Sequence, residues 1–443
     1  MFRASKATTV LALAMVTATA CIGGSAGSDG AGSEDSSGGP TTISYFTGIE
    51  ETPALEAEAK EIIEDFEAAN PDITVERESV AVEDQRTVIQ TRLRSEEPPD
   101  VFGYDTGPGF AGVLAKADLL YPLDDAYKQY GWPVYDWAKQ RVTYDGVLSG
   151  VPGSVEEIGV YYNKDVFDDM GFEEPQTLAE LEEIASAVQD EGMTPFAFGD
   201  QEKWPAGHLF SIAVSNLVGP DGLNQLLYGG AKWNDPEVVE AIEIMFSDFV
   251  EKGYYPDDVN AITYEDANSL FYAGEAVMAP TGTWLVPEID ETVQDFEVGF
   301  FPFPALDDTG ISPPSGVGGG LFVAKNTDDP EAALKFVDYL QFNEQRVKDD
   351  LERANTIPPF QVDTAELEVT PLFEEVLDDL SEAENPDAFG YNIDVLAPAD
   401  FNEVMFDGFQ EVLNGSRTAQ EQADALQAAY EKAKAAGETL EQP

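Results

Sequence analysis

The chain of 443 residues has one cysteine, one histidine and only 23 lysine and arginine residues. With Cys21 alone no intrachain disulfide can form, so a buried core has to supply the stability. His208 and one thiol cannot furnish the usual ligand set of a zinc site. No Gly-x-Ser-x-Gly elbow joins a strand pattern to a helix pattern, and a Ser-His hydrolase lacks its parts. There is no Asp-x-Asp-x-Asp-Gly loop with a distal glutamate for calcium, no tandem repeat, and no apolar run of the roughly 20 residues that a membrane-spanning helix needs. Basic residues are too few to neutralise a phosphate backbone, which excludes nucleic acid as a partner.

The complement of that scarcity is 86 aspartate and glutamate residues and a formal charge of −63. The acids are spread along the chain and 43% of residues are hydrophobic, so a folded acidic globule is expected rather than a disordered tail. Self-repulsion of that size is relieved when salt shortens the Debye length to about 3 Å near 1 M, which points to a salt-loving host.

The first 20 residues combine a basic head (Arg3, Lys6), a short apolar stretch from Val10 to Val16 and small residues up to Ala20. This is the pattern of an export signal. Cys21 directly after it reads as a lipidation site, although Ala18 stands where the lipobox usually has leucine. Residues 21–41, rich in glycine and serine, read as a flexible tether. The working chain is thus expected on the extracellular face of the cell membrane, lipid-anchored.

From residue 42 onward β-prone runs alternate with helical periods. A strand at 42–46 is followed by a helix at 53–69 with Leu55, Ala59, Ile62, Ile63 and Phe66 on one face, a strand at 73–80, a helix at 84–94 and a strand at 100–104. The pattern resumes with a strand at 160–162, a helix at 178–189, a strand at 195–198, helical periods at 211–228 and 236–252, a strand at 321–324 and a helical tail from Ala399. Such alternation predicts βαβ units and an α/β fold.

Several separated segments together carry a resemblance: Phe66-Glu67-Ala68-Ala69-Asn70-Pro71-Asp72-Ile73, Pro98-Pro99-Asp100-Val101-Phe102, Gly159-Val160-Tyr161-Tyr162-Asn163-Lys164-Asp165, Lys203-Trp204-Pro205-Ala206-Gly207 and Gly274-Glu275-Ala276-Val277-Met278 with Gly282-Thr283-Trp284. In this order and spacing the chain resembles the extracellular solute-binding proteins of carbohydrate ABC importers, the maltose-binding-like group. The resemblance implies a two-lobe periplasmic-binding-protein-like fold of class II, with ligand held in the cleft between lobes joined by hinge crossovers. It places lobe one at 42–150 and 300–350, lobe two at 151–299 and 351–443, and crossovers at 146–152 and 300–304. It also implies a binding function without catalysis or cofactor. The expected partners are a carbohydrate ligand, ABC permease subunits and, through the lipid, the membrane; the protein itself is expected as a monomer. The alternatives are a receptor of the same fold for a polyol or another small solute, and an exported acidic glycoside hydrolase.

A sugar site needs flat aromatic rings for C–H faces and carboxylates or amides for hydroxyls. Trp204, in a segment that reads as a turn bounded by Pro205 and Gly207, and Trp284, after Gly282-Thr283, are the stacking candidates by that resemblance. Trp132, Trp137 and Trp233 read as packing residues. Glu156, just before the Gly159 strand, is expected to face the cleft while Glu157 points elsewhere. Asp105 with Thr106, and Phe46 with Thr47, end strands at the edge where open α/β sheets bind ligands. Gly318 and Gly319, in a glycine-rich run, would let bare backbone approach a sugar. His208 reads as a structural residue near Trp204.

Overall fold

The computed structural model describes residues 40–49, 52–306, 310–362, 367–379 and 390–438. The export signal, Cys21 and nearly all of the tether lie outside the described residues; Thr41 already belongs to the first strand.

One five-stranded sheet has the order Ile73–Val80, Thr41–Gly48, Val101–Asp105, Gly319–Val323, Val151–Pro152. Its first three strands are parallel, and Gly319–Val323 runs antiparallel to Val101–Asp105. The helix Pro53–Ala69 starts where Thr52 accepts a hydrogen bond from the Leu55 N–H and Pro53 takes the first turn, and it ends at Asn70. Its Phe66 joins Ile43, Val75, Val101 and Phe336 on one face of the sheet. Alternation sends Phe46, Phe102 and Phe322 to the other face, against Ile89 and Leu114.

A second sheet is organised around the strand Glu156–Asn163. Ala276–Gly282 pairs antiparallel along one edge of it, and Pro314–Gly316 and Val298–Phe301 share the other edge; Thr194–Phe196 and Gly390–Tyr391 extend the sheet outward. Ile158, Val160 and Tyr162 face the core beneath the helices Trp204–Leu227, Ala399–Leu413 and Ala419–Ala436, whereas Tyr161 faces a core with Phe300 and Phe373. The α/β class and the mixed sheets with helices on both faces agree with the fold that the resemblance implies.

Sheet membership locates the passages between the two sheets. Residues 151–152 pair in the first and 156–163 in the second; residues 314–316 pair in the second and 319–323 in the first. The chain therefore crosses at 153–155 and 317–318, where the sequence reading looks to 146–152 and 300–304. Residues 298–301 are instead a regular strand of the second sheet, because their aromatic side chains supply both of its cores.

One local expectation is overturned. The segment at Trp204 is not a turn but the start of the helix Trp204–Leu227. Lys203, at a φ of 72°, makes the turn one residue earlier. Pro205 is tolerated in the first helical turn because it has no N–H to lose there, and Asp200 accepts the Ala206 N–H at 2.9 Å. This helix is buried nearly all round up to Leu217, and each large apolar side chain so covered contributes about 1.5–3 kcal/mol. It breaks at Gly219 (φ 64°) before Pro220.

Candidate functional site

Glu156 opens the central strand of the second sheet at the passage from the first. It lies on the same face as Ile158 and Val160, under the helix that starts at Trp204, while Glu157 lies on the opposite face with Tyr161. Ser154 donates to Glu156 Oε1 at 3.0 Å. A Cβ on Gly318 would stand 2.6 Å from Glu156 Oε2, so the bare backbone there leaves the carboxylate the position it occupies.

Around Glu156 the two halves contribute a charged cluster. Arg86, on the helix Val82–Arg92, donates bidentately to Asp105 at 2.7 and 2.8 Å, and its guanidinium lies 5.4 Å from the Phe110 ring centre. Asp394, only 4% exposed, comes from the segment after Gly390–Tyr391 and brings Oδ2 within 3.7 Å of His208 Nε2. Burial drives both partners toward their uncharged forms: His208 is pushed down to about 3, helped by Arg86, and Asp394 up to about 7. Glu156 is likewise raised to about 7 by burial, with the Asp105 and Asp394 charges adding to the effect and the Ser154 hydroxyl and Gly318 N–H opposing it.

An aromatic wall completes the cluster. The Trp204 ring lies 4.9 Å from His208, 4.5 Å from Tyr264 and 6.3 Å from Trp284, and Trp284 is 5.3 Å from His208. Trp284 Nε1 donates to the Tyr264 hydroxyl at 3.0 Å, and that hydroxyl is 2.8 Å from Thr281 Oγ1. Both tryptophans are half-buried. The edge of the first sheet meets this region closely: Gly107, at a φ of 85°, packs against Val395 so tightly that a Cβ would lie 1.7 Å from the Val395 carbonyl oxygen.

A cavity of 460 Å³ opens beside the cluster, between the first sheet and the helices Pro53–Ala69 and Glu344–Glu352. Thr47, Asp105 and Gly319 line it together with Ser154 and Gln85; Trp204, Trp284 and Glu156 do not.

The residues singled out from sequence therefore fall into three groups. Trp204, Trp284, Glu156 and Gly318 belong to the cluster, and Asp105 links it to the cavity that Thr47 and Gly319 line. Thr106 is buried, its hydroxyl donating to the Val317 carbonyl at 2.8 Å, so it ties the strand end to the second passage. Phe46 is 1% exposed on the face away from the cavity, beneath the Arg92 guanidinium. Trp132 and Trp233 are core residues, and Trp137 packs at the edge of two cores. Arg86, Asp394 and Tyr264 are the members that sequence reasoning misses. Arg86 had a signal in the scarcity of cations; Asp394 is hidden among 86 acids.

Residues 50–347 match the family described as bacterial extracellular solute-binding protein. The chain belongs to that family. Among curated relatives, this solute-binding protein is 29% identical to the multiple sugar-binding protein of Streptococcus mutans over 309 residues, 68% of this chain and 70% of that one. It is 30% identical to an uncharacterized ABC transporter extracellular-binding protein of Pyrococcus horikoshii over 285 residues, 61% of each. Among solved structures, a chitin oligosaccharide binding protein superposes with a TM-score of 0.79 at 24% identity, over 90% of this chain and 100% of that one. A solute-binding protein in complex with raffinose superposes at 0.70 with 22% identity, over 89% and 100%. These likenesses establish the maltose-binding-like fold and a family of binding proteins that work outside the cell. Among the described residues no helix is long and apolar enough to cross a membrane.

Proposed function

We propose that this protein captures a sugar or short oligosaccharide and delivers it to the permease of an ABC importer. The observation that carries the reading is the pairing of Trp204 and Trp284 with Glu156 and Asp394, flat apolar faces next to hydrogen-bond acceptors where the two sheets meet. Relatives and structural neighbours whose names specify sugars support it. In this reading the lobe limits expected from sequence shift with the observed passages: residues 42–152 and 319–350 form most of one lobe and 156–316 with 351–443 most of the other. Ligand enters between them, and closure covers it. The cluster and the adjoining cavity are then parts of one cleft.

The test is a titration of intrinsic fluorescence with a panel of mono- and oligosaccharides. One of them should shift the emission, and Trp204→Ala or Trp284→Ala should each weaken its binding by about 2–4 kcal/mol, the scale of a buried aromatic anchor. Unchanged affinity in both variants removes the two rings from the site.

A lipid on Cys21 would hold the receptor beside its permease. Replacing the thiol with a hydroxyl in Cys21→Ser removes the acceptor and should leave the protein in the soluble fraction or as unprocessed precursor; retention at the membrane would point to a different anchor.

A further inference from the structure

The saccharide reading leaves the charge of the ligand open, and the cluster constrains it. Three acidic side chains come to the passage between the sheets: Glu156 beside Ser154 and Gly318, Asp105 at the end of its strand, and Asp394 against His208. The cation they share, Arg86, is committed bidentately to Asp105. His208 is buried against two indole rings, which keeps it neutral, and Arg141 is turned to the Tyr391 ring at 5.6 Å and to the Tyr228 hydroxyl. Glu156 and Asp394 are thus left with no cationic side chain of their own. Asp394 Oδ1 meets no donor with hydrogen-bond geometry, although the residue is only 4% exposed; the support this carboxyl does have comes from the backbone N–H groups of Val395 and of Asp394 itself.

A buried acceptor that lacks a donor is costly, and a buried negative charge without a counter-charge more so. Three occupants could relieve it. Among the described residues no three acidic, histidine or cysteine side chains converge closely enough to hold a metal ion. A neutral sugar can donate hydroxyls but brings no counter-charge, so both carboxyls stay raised to about 7, whereas a cation beside them would pull them back down and be held by the charge it restores. An acidic sugar would add to the repulsion. An ammonium group supplies three donors and the missing charge together.

We infer that the preferred ligand is a saccharide bearing a protonated amine, as an amino sugar with a free ammonium does, and that Asp394 and Glu156 select it. This rests on the saccharide reading above. Trp204 and Trp284 contact the ring faces, and the carboxylates choose among sugars of similar shape.

Calorimetric titration of the full chain with chitosan disaccharide, its fully N-acetylated counterpart and a disaccharide uronate, at a pH where the amine is protonated, tests it. The amine should bind about ten- to a hundredfold tighter than the N-acetyl form, the scale of one charge-assisted hydrogen bond, and the uronate weakest. Asp394→Asn and Glu156→Gln, checked for native melting, should lose that preference, the affinity for the amine falling at least about tenfold more than the affinity for the N-acetyl form. Equal or tighter binding of the N-acetyl form by the unaltered protein overturns the inference while the saccharide reading stands. No binding by any saccharide overturns both. The ranking by the unaltered protein decides the matter even where a variant fails to fold.

Discussion

Single atoms decide how closely the two halves of this protein can meet. Gly107 follows the central strand Val101–Asp105 of the first sheet, and Val395 belongs to the core beneath the second. Between them there is room for a hydrogen atom and not for a methyl group, and the backbone of Gly107 is left-handed. In Gly107→Ala the left-handed backbone of this buried residue should cost at least about 1 kcal/mol of fold stability. The closed arrangement should suffer far more, because a backbone carbonyl cannot step aside. We expect native melting within a few degrees of the parent but ligand affinity reduced by at least about tenfold, with small-angle scattering showing no compaction on adding ligand. A variant that binds and compacts normally would mean that this contact has no part in closure. Gly318 differs: the atom its Cβ would meet is the end of the flexible Glu156 side chain, which can turn away, so the same change there acts on the carboxylate's position and little on stability.

At the scale of elements, the site depends on short helices that carry little core of their own. Tyr264, which holds the Trp284 indole, is the first residue of the helix Tyr264–Tyr272, and Thr263 caps it by accepting the Asp266 N–H at 3.0 Å. Thr263→Ala should cost about 1 kcal/mol of stability and loosen the aromatic wall. The readout is a fall in melting temperature accompanied by a changed tryptophan emission in the ligand-free protein. A loss of stability with unaltered emission would show that the cap and the wall are independent. Much at this scale was legible beforehand. The helix expected at 53–69 and the strand at 73–80 occur with those limits, because cap, apolar face and the Asn70-Pro71 stop act locally. Trp204 was misread because Pro205 and Gly207 are local turn signals, and packing of the whole helix against the second sheet overrides them.

Across the whole molecule the dominant feature is charge, 23 basic residues against 86 acidic ones. No intrachain disulfide can offset the repulsion. Stability should rise with sodium chloride, steeply below roughly 0.2 M where the Debye length shrinks fastest, and further in the molar range through salting-out of apolar surface. Thermal melts at neutral pH from near zero to about 3 M salt measure this. A flat series would mean that the acidic surface is compensated locally, and the salt-rich habitat proposed from composition would fall with it.

The amino-acid sequence by itself determined the α/β class, most element limits and the family, and it offered Trp204, Trp284 and Glu156 as candidates, because caps, periodicity, strand alternation and short motifs all act within a few residues along the chain. It could not mark Asp394 or Arg86, which stand about 300 residues apart. Only the tertiary structure brings Arg86 onto Asp105 and Asp394 against His208. It also turned Phe46 into the core and moved the passages between the sheets to 153–155 and 317–318. The physical reason is the same in each case: desolvation and close approach depend on what the rest of the chain places nearby, and the energy of a buried carboxylate belongs to its surroundings and not to its position in the sequence.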